Sequence, residues 1–277
     1  MDGSHVVYMR NFGGFDQNVY IYDKAVNRTM GLTPSSGDDV VPAIDGVNIV
    51  YASGVTDGPP IGGEITLGRL IAPIAGASAR SRTISYGRTA AIFGTLTENG
   101  LPFGNLPIAI DRSSDGGHSW SQIRSLNTNS AGGYSYTTPA LYMRTLYRVR
   151  ANGSWTGAWN RFSVWSDPVA VSVKVSLSKP SGKKSISNTK SYTYYGYLKP
   201  RYTAGTDRVW IKCYKKSGGK YKYKKTYTAT LSNHNSYSKY SKKIKLTTEG
   251  KWRIRAQFKA TSINAETYSS WKYITVN

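Results

Sequence analysis

The sequence holds a single cysteine, Cys213, among 277 residues, so no disulfide can form within the chain. Disulfides are permitted but not required outside the cell, so their absence does not fix the compartment. Cys213 shares strand parity with Val209 and Ile211. It is expected as a small buried apolar group rather than a reactive thiol, because no Cys or His partner lies nearby in sequence. Histidine is equally scarce. His5, His118 and His234 are far apart, in expected turns or strand ends, and no zinc-ligand spacing appears. No apolar run approaches the roughly 18 residues that a membrane helix needs. The most apolar stretch, Ile71 to Ala77, is short and broken by Pro73. No helical periodicity persists over a useful length.

Acidic residues are few, 15 against 37 basic. Residues 174–277 contain only Asp207, Glu249 and Glu266, which speaks against a paired-carboxylate glycosidase there. The chain has no G-x-S-x-G, no phosphate-binding P-loop and no G-x-G-x-x-G. Asp111 and Asp115 flank Ser113-Ser114 in a weak cation-loop pattern, but the carboxylates are too few for a calcium site and a hairpin turn accounts for them. The chain is expected to be non-catalytic, with no cofactor and no metal.

What is abundant points to strands. Tyr (22), Trp (7) and Gly (28), with Ser and Thr, favour an all-β chain of strands and turns. The net charge of +22 is uneven: residues 1–80 carry 5 basic and 8 acidic side chains, residues 81–173 carry 8 and 4, and residues 174–277 carry 24 and 3. Most of the last set are Lys, whereas residues 81–173 have only Arg. A field this strong in one terminal segment favours an anionic partner.

Two internal periods give the architecture. Asp2-Gly3-Ser4-His5-Val6-Val7-Tyr8 recurs as Asp45-Gly46-Val47-Asn48-Ile49-Val50-Tyr51, 43 positions on. A period of about 40–45 with several short strands per repeat marks a propeller blade. Between the copies lie an expected strand, Asn18 to Asp23, and a partner, Arg28 to Thr33. Met1 falls inside the repeat, at the position matching Ile44. The chain is therefore expected to open in mid-blade, with upstream blades and a secretion signal in a longer parent. Residues 54–80, rich in Gly, Pro and Ala, are expected as a linker or loosely docked segment.

The second period is close to 102 residues. Phe93-Gly94-Thr95-Leu96 matches Tyr195-Gly196-Tyr197-Leu198, and Pro107-Ile108-Ala109-Ile110 matches Arg208-Val209-Trp210-Ile211. The turns Asp115-Gly116-Gly117 and Ser217-Gly218-Gly219 also match, as do Tyr147-Arg148-Val149-Arg150 and Trp252-Arg253-Ile254-Arg255, and the ends Val171-Ser172-Val173 and Ile274-Thr275-Val276. These imply two homologous immunoglobulin-like antiparallel sandwiches, residues 81–173 and 174–277. Trp252, Ile254, Ala256 and Phe258 share one face of an expected strand, with Lys251, Arg253, Arg255 and Gln257 on the other, the alternation of a sheet with one wet face.

Residues 1–53, with "PAIDGVNIVYAS" and "NVYIYDKAVNRTMGLT", resemble an incomplete blade of the bacterial TolB-like propellers. The stretch from Tyr195 to Val276, "YGYLKP…GKWRIRAQFKA…SSWKYITV", resembles the Lys- and Tyr-rich Ig-like repeats that end large secreted proteins of Gram-positive bacteria, actinobacteria especially. Residues 81–173, with "GTLTENGLPFGNLPIAIDRSSDGGHSW", resemble bacterial Ig-like and carboxypeptidase-regulatory-like modules. The resemblance implies a secreted or wall-associated surface protein whose modules are spacers or adhesive units.

Alternation places Lys220, Lys222 and Lys224 on one face of a strand and Tyr221, Tyr223 and Tyr227 on the other. Lys239, Lys243 and Lys245 form a second outward row, opposite Tyr240, Ile244 and Leu246. With Arg253 and Arg255 these are the expected polyanion-binding residues, holding an anionic cell-wall polymer or polysaccharide by charge. A solvated lysine row that guards sheet edges is the plainer reading of the same residues. Two further readings stay open: a carbohydrate-binding module using Trp120, Trp155, Trp159 or Trp165 as stacking platforms, and a pure spacer. No sequence-specific nucleic-acid partner is expected, because no helix or RNA-binding signature accompanies the charge.

Overall fold

A computed structural model describes residues 5–11, 17–23, 28–31, 38–45, 48–55, 64–71, 74–98, 101–151, 154–155, 159–161, 164–206 and 208–277. Side-chain surroundings are described chiefly from residue 75 onward, and those of Trp155 and Trp159 lie outside the described set. Among the described residues every regular element is a strand.

Near the N-terminus His5–Asn11, Gln17–Asp23 and Arg28–Gly31 form an antiparallel meander. Val19 and Ile21 are buried, and Tyr8 stacks on its cross-strand partner Tyr20 with 5.9 Å between ring centroids. The second copy of the 43-residue phrase lies in a separate sheet, where Asn48–Val55 pairs with Asp38–Asp45 on one side and Glu64–Ile71 on the other. The described residues of segment 54–80 are thus more structured than their composition suggests. Glu64–Ile71 is a full strand, and Ile74–Ala75 and Ser78–Ala79 pair with Ala91–Glu98. The apolar and β-branched residues of Glu64–Ile71 suit a strand. The small residues 75–79 allow close approach to the neighbouring strand. A further difference lies at Trp159–Arg161, which pairs in parallel with Glu64–Ile71 rather than within the middle sandwich.

The middle sandwich packs the sheet built on Ala91–Glu98 and Gly133–Thr137 against one ordered Ser121–Asn127, Pro107–Ser113, Thr145–Ala151, Val169–Lys174 and Thr83–Ser85. Ile92, Leu96, Ile108, Ile110, Tyr147, Val149, Val171 and Val173 form its core. In the last sandwich one sheet contains Ser176–Leu177, Tyr192–Lys199 and Ser238–Ile244; the other contains Val209–Ser217, Gly250–Phe258, Lys272–Val276 and Ser185–Ile186. The long strand Lys220–Asn233 joins them. Its first part pairs with Val209–Ser217 and its last four residues with Ser238–Ile244. Tyr194, Leu198, Val209, Ile211, Cys213, Leu231, Tyr240, Ile244, Trp252, Ile254 and Phe258 fill the space between.

The two sandwiches share local devices as well as strand order. Tyr147 and Trp252 are both buried, opposite Val169 and Ile274. A bulge between Ile110 and Asp111 recurs between Cys213 and Tyr214, the extra residue being Ile123 in one case and Lys224 in the other. Ile110 faces Val149 as Cys213 faces Ile254, so the ladders align this strand at an offset of 103 rather than the 101 read from sequence, with parity kept. A glycine also lies opposite a buried tyrosine in each: Gly94 with Tyr134, Gly196 with Tyr240. The Cβ space at Gly196 is taken by Tyr240 and that at Gly94 by the Gly76 carbonyl with the Tyr134 hydroxyl beside it; the tyrosine hydroxyls donate onward to Gly76 O (2.5 Å) and Ser178 O (2.7 Å).

The sandwiches meet at a short joint. Asn264 is buried there; its Nδ2 donates to Tyr142 O (3.0 Å) and Val173 O (3.1 Å), and its Oδ1 accepts from Tyr202 Oη (2.7 Å). Backbone bonds from Arg144 N to Ile263 O (2.6 Å) and from Ala265 N to Val173 O (2.9 Å) flank it.

Candidate functional site

The bulge at Cys213/Tyr214 decides where the Lys/Tyr strand sends its side chains. A bulge inserts one residue and so reverses parity beyond it. Tyr227, opposite Ile211, packs on the core, whereas Tyr223, opposite Tyr214, lies on the outer face with Tyr221. Simple alternation, which put all three tyrosines on one face, is corrected here. Lys222 lies level with Lys215 and Trp252, on the side of the core but beyond its end.

The eight expected residues fall in four places. Lys220 and Lys222 are exposed at the start of the long strand, and Lys224 joins Lys243 and Lys245 at the open end of the sandwich. Lys239 lies on the outer face of the other sheet, its Nζ 4.7 Å from the ring of Tyr195. Arg253 and Arg255 lie on the outer face of the sheet that contains Val209–Ser217.

The open end is a cleft of about 440 Å³. Lys224, Lys225, Lys243 and Lys245 ring it, and Trp252, Tyr227 and Leu246 line its apolar side. Trp252 Nε1 donates to Thr248 O (2.9 Å) and Tyr227 Oη to Lys245 O (2.6 Å), which fixes that side. Lys225, a cation that sequence reasoning left out, lies 4.9 Å from the Tyr227 ring. It follows the bulge, so only a register could have revealed its position.

On the outer face Arg253 lies 3.9 Å from the ring of Trp271 and 4.5 Å from that of Tyr221. Arg255 lies 4.1 Å from Tyr268 and 4.4 Å from Trp271. Tyr214 meets both Trp271 (5.2 Å) and Tyr223 (5.6 Å) edge to face. The middle sandwich has a related face with a different charge balance. There Arg148 lies opposite Asp111, 3.3 Å from its carboxylate, with Arg150 at 4.0 Å. In the last sandwich Tyr214 stands opposite Arg253, and the counter-charge is gone. Among the described residues no Lys or Arg of 174–277 forms an ion pair.

Of the tryptophans expected as platforms, Trp120 and Trp165 are otherwise engaged, and the side chains of Trp155 and Trp159 lie outside the described residues. Trp120 donates Nε1 to Gly117 O (3.0 Å) and is covered by Arg148 at 4.3 Å; Trp165 has the same guanidinium at 5.4 Å. Among the described residues the most exposed aromatic side chains are Tyr223 and Tyr273, each more than half exposed. Cys213 is fully buried and desolvation pushes its thiol up to about 12, partly offset by Lys225. Asp115 is held well below the usual carboxylate range by hydrogen bonds from the Ser113 and Ser119 hydroxyls, which makes it a turn-former. Among the described residues no three His, Cys, Asp or Glu gather as a metal site would require, and no helix is long and apolar enough to cross a membrane.

No family model matches this sequence, and no curated protein does. Among solved structures the chain is similar to the D0-D1 domain of Intimin, at 13% identity and a TM-score of 0.29, over 73% of this chain and 99% of that one. At that identity and score the reading of function rests on the geometry above.

Proposed function

We propose that this chain is a non-catalytic module of an extracellular or wall-associated surface protein. Residues 1–53 serve as part of a propeller, the middle sandwich as a spacer, and the last sandwich holds an anionic cell-wall polymer. The observation that carries this reading is the unneutralised charge of the last sandwich: 24 basic side chains against 3 acidic, none paired among the described residues. A structural use of so many cations would be expected to come with partners, because like charges at this density repel and destabilise the compact state. Exposed lysines contribute little singly, and many contacts to one polymer add.

The test is co-sedimentation of the full chain with purified Gram-positive cell walls, before and after chemical removal of their anionic polymers. Retention that falls steeply with salt and disappears from stripped walls is the expected result. Retention that is absent, or indifferent to both salt and stripping, overturns the proposal.

A further inference from the structure

The lysine-rimmed cleft and the arginine–aromatic face differ in chemistry, and the second is more selective. We infer that the outer face formed by Lys220–Ala229, Val209–Ser217, Gly250–Phe258 and Lys272–Val276 is a platform for an acidic polysaccharide. Its sugar rings lie on the tyrosines and its anionic groups on Arg253 and Arg255. This rests on the polyanion reading above and narrows the ligand class.

Four observations support it. Each guanidinium lies against two rings, Arg253 between Trp271 and Tyr221 from opposite sides of the strand and Arg255 against Tyr268 and Trp271 from one side. Neither guanidinium makes a hydrogen bond or an ion pair among the described residues, and, unlike the buried Nε of each, the terminal nitrogens are not enclosed and are the donors a ligand can reach. Glu266, the acid on this face, is taken by Gln257 and is not within ion-pair distance of either arginine. Planar guanidinium forks with unused donors match an oxyanion such as carboxylate, phosphate or sulfate, whereas lysine offers a point charge.

The rings indicate the rest of the ligand. Tyr223, Tyr273 and Tyr268 are 55%, 57% and 39% exposed around the arginine pair, and Tyr221 meets Tyr273 at 6.1 Å. Four strands cross the face, so it spans three inter-strand spacings of about 4.8 Å, about 14 Å in all. A ligand of charge alone would leave these rings uncovered. A chain of charged sugars covers rings and satisfies guanidiniums together.

The experiment compares three probes on the full chain: polygalacturonate, with a carboxylate on each ring; polyphosphate, with charge and no ring; and dextran, with rings and no charge. Two double variants accompany it, Arg253→Lys with Arg255→Lys, and Tyr223→Ala with Tyr273→Ala. Unchanged thermal unfolding of each shows that the fold is kept. At about 1 M salt, where the screening length is about 3 Å, the native chain is expected to hold polygalacturonate and release polyphosphate. Each double variant is expected to bind polygalacturonate about tenfold more weakly, equivalent to about 1.4 kcal/mol. Polyphosphate binding at low salt should change little.

Elution of both polyanions at one salt concentration overturns this inference and leaves the polyanion reading standing. Variants with native affinity for polygalacturonate, or dextran bound as tightly as polygalacturonate, also overturn it. Absence of binding to either polyanion at low salt overturns both readings.

Discussion

Replacement of Asn264 by alanine tests whether the two sandwiches are rigidly joined. The side chain makes three hydrogen bonds from a site that is 1% exposed: Nδ2 to Tyr142 O and Val173 O, and Oδ1 from Tyr202 Oη. Val173 O keeps a second donor in Ala265 N, so its loss is partial. Tyr142 O and Tyr202 Oη lose the partner that Asn264 supplies. An unsatisfied buried polar group costs about 1–3 kcal/mol, and partial hydration of the joint offsets some of it. The expected loss is about 2–4 kcal/mol. For a domain of about 100 residues each 1 kcal/mol lowers the midpoint by about 4–8 °C, so the last sandwich should melt at least 8 °C earlier. Scanning calorimetry of the full chain reads this directly, with exposed Asn235→Ala as a control expected to shift it little. Two of the three bonds cross the joint, so small-angle scattering of the variant should also broaden relative to the native chain. A midpoint within 2 °C of native would refute the reasoning.

Other outcomes follow from single sites. Gly196→Ala places a Cβ into the Tyr240 ring and the Ser178 hydroxyl and should cost about 1–3 kcal/mol in chemical denaturation, while Gly205→Ala meets open space and tests only its positive φ. Cys213, whose thiol is pushed up to about 12 by burial, stays protonated at pH 8. It should resist alkylation in the native chain and react on unfolding, as followed by mass spectrometry. Burial raises Tyr147 and Tyr194 to about 12, and Tyr134 and Tyr240 further. The unfolded chain ionises these phenols from about pH 10 and the folded one does not, so stability present below about pH 10 should be lost progressively as pH rises through 12. Ultraviolet absorbance and circular dichroism together read that loss.

Much of the fold was legible because burial has a period. Trp252, Ile254, Ala256 and Phe258 alternate with Arg253, Arg255 and Gln257, and all four are buried. Tyr147, Val149 and Ala151 repeat the pattern. The 102-residue spacing located the second copy. What escaped was whatever breaks the period. Lys222 to Lys225 offers only Lys and Tyr, so nothing in composition marks the extra residue Lys224 or the switch of Tyr221 and Tyr223 away from Tyr227. Gln257 reads as an outward polar residue, yet it is buried because Tyr268 and Glu266 bond its amide. The strand Glu64–Ile71 was hidden by the Gly- and Pro-rich residues around it.

The candidate surface was legible in kind and not in arrangement. Eight cations were expected as outward rows, and pairing across strands divides them among the exposed start of the long strand, a cleft, a lysine over Tyr195, and an arginine face. Trp271 and Tyr268, which hold the arginines, are distant in sequence from both. Only the ladder from Gly250–Phe258 to its neighbours brings them together.

The central claim is that unpaired charge on the last sandwich is there to be neutralised by a ligand. The most direct measurement is the salt dependence of full-chain affinity for an anionic wall polymer, beside a variant carrying Lys224→Gln, Lys225→Gln, Lys243→Gln and Lys245→Gln. Binding by counterion release gives a linear fall of log affinity with log salt, and the variant's slope should be shallower by up to about four. Identical slopes and affinities for both chains would contradict the account.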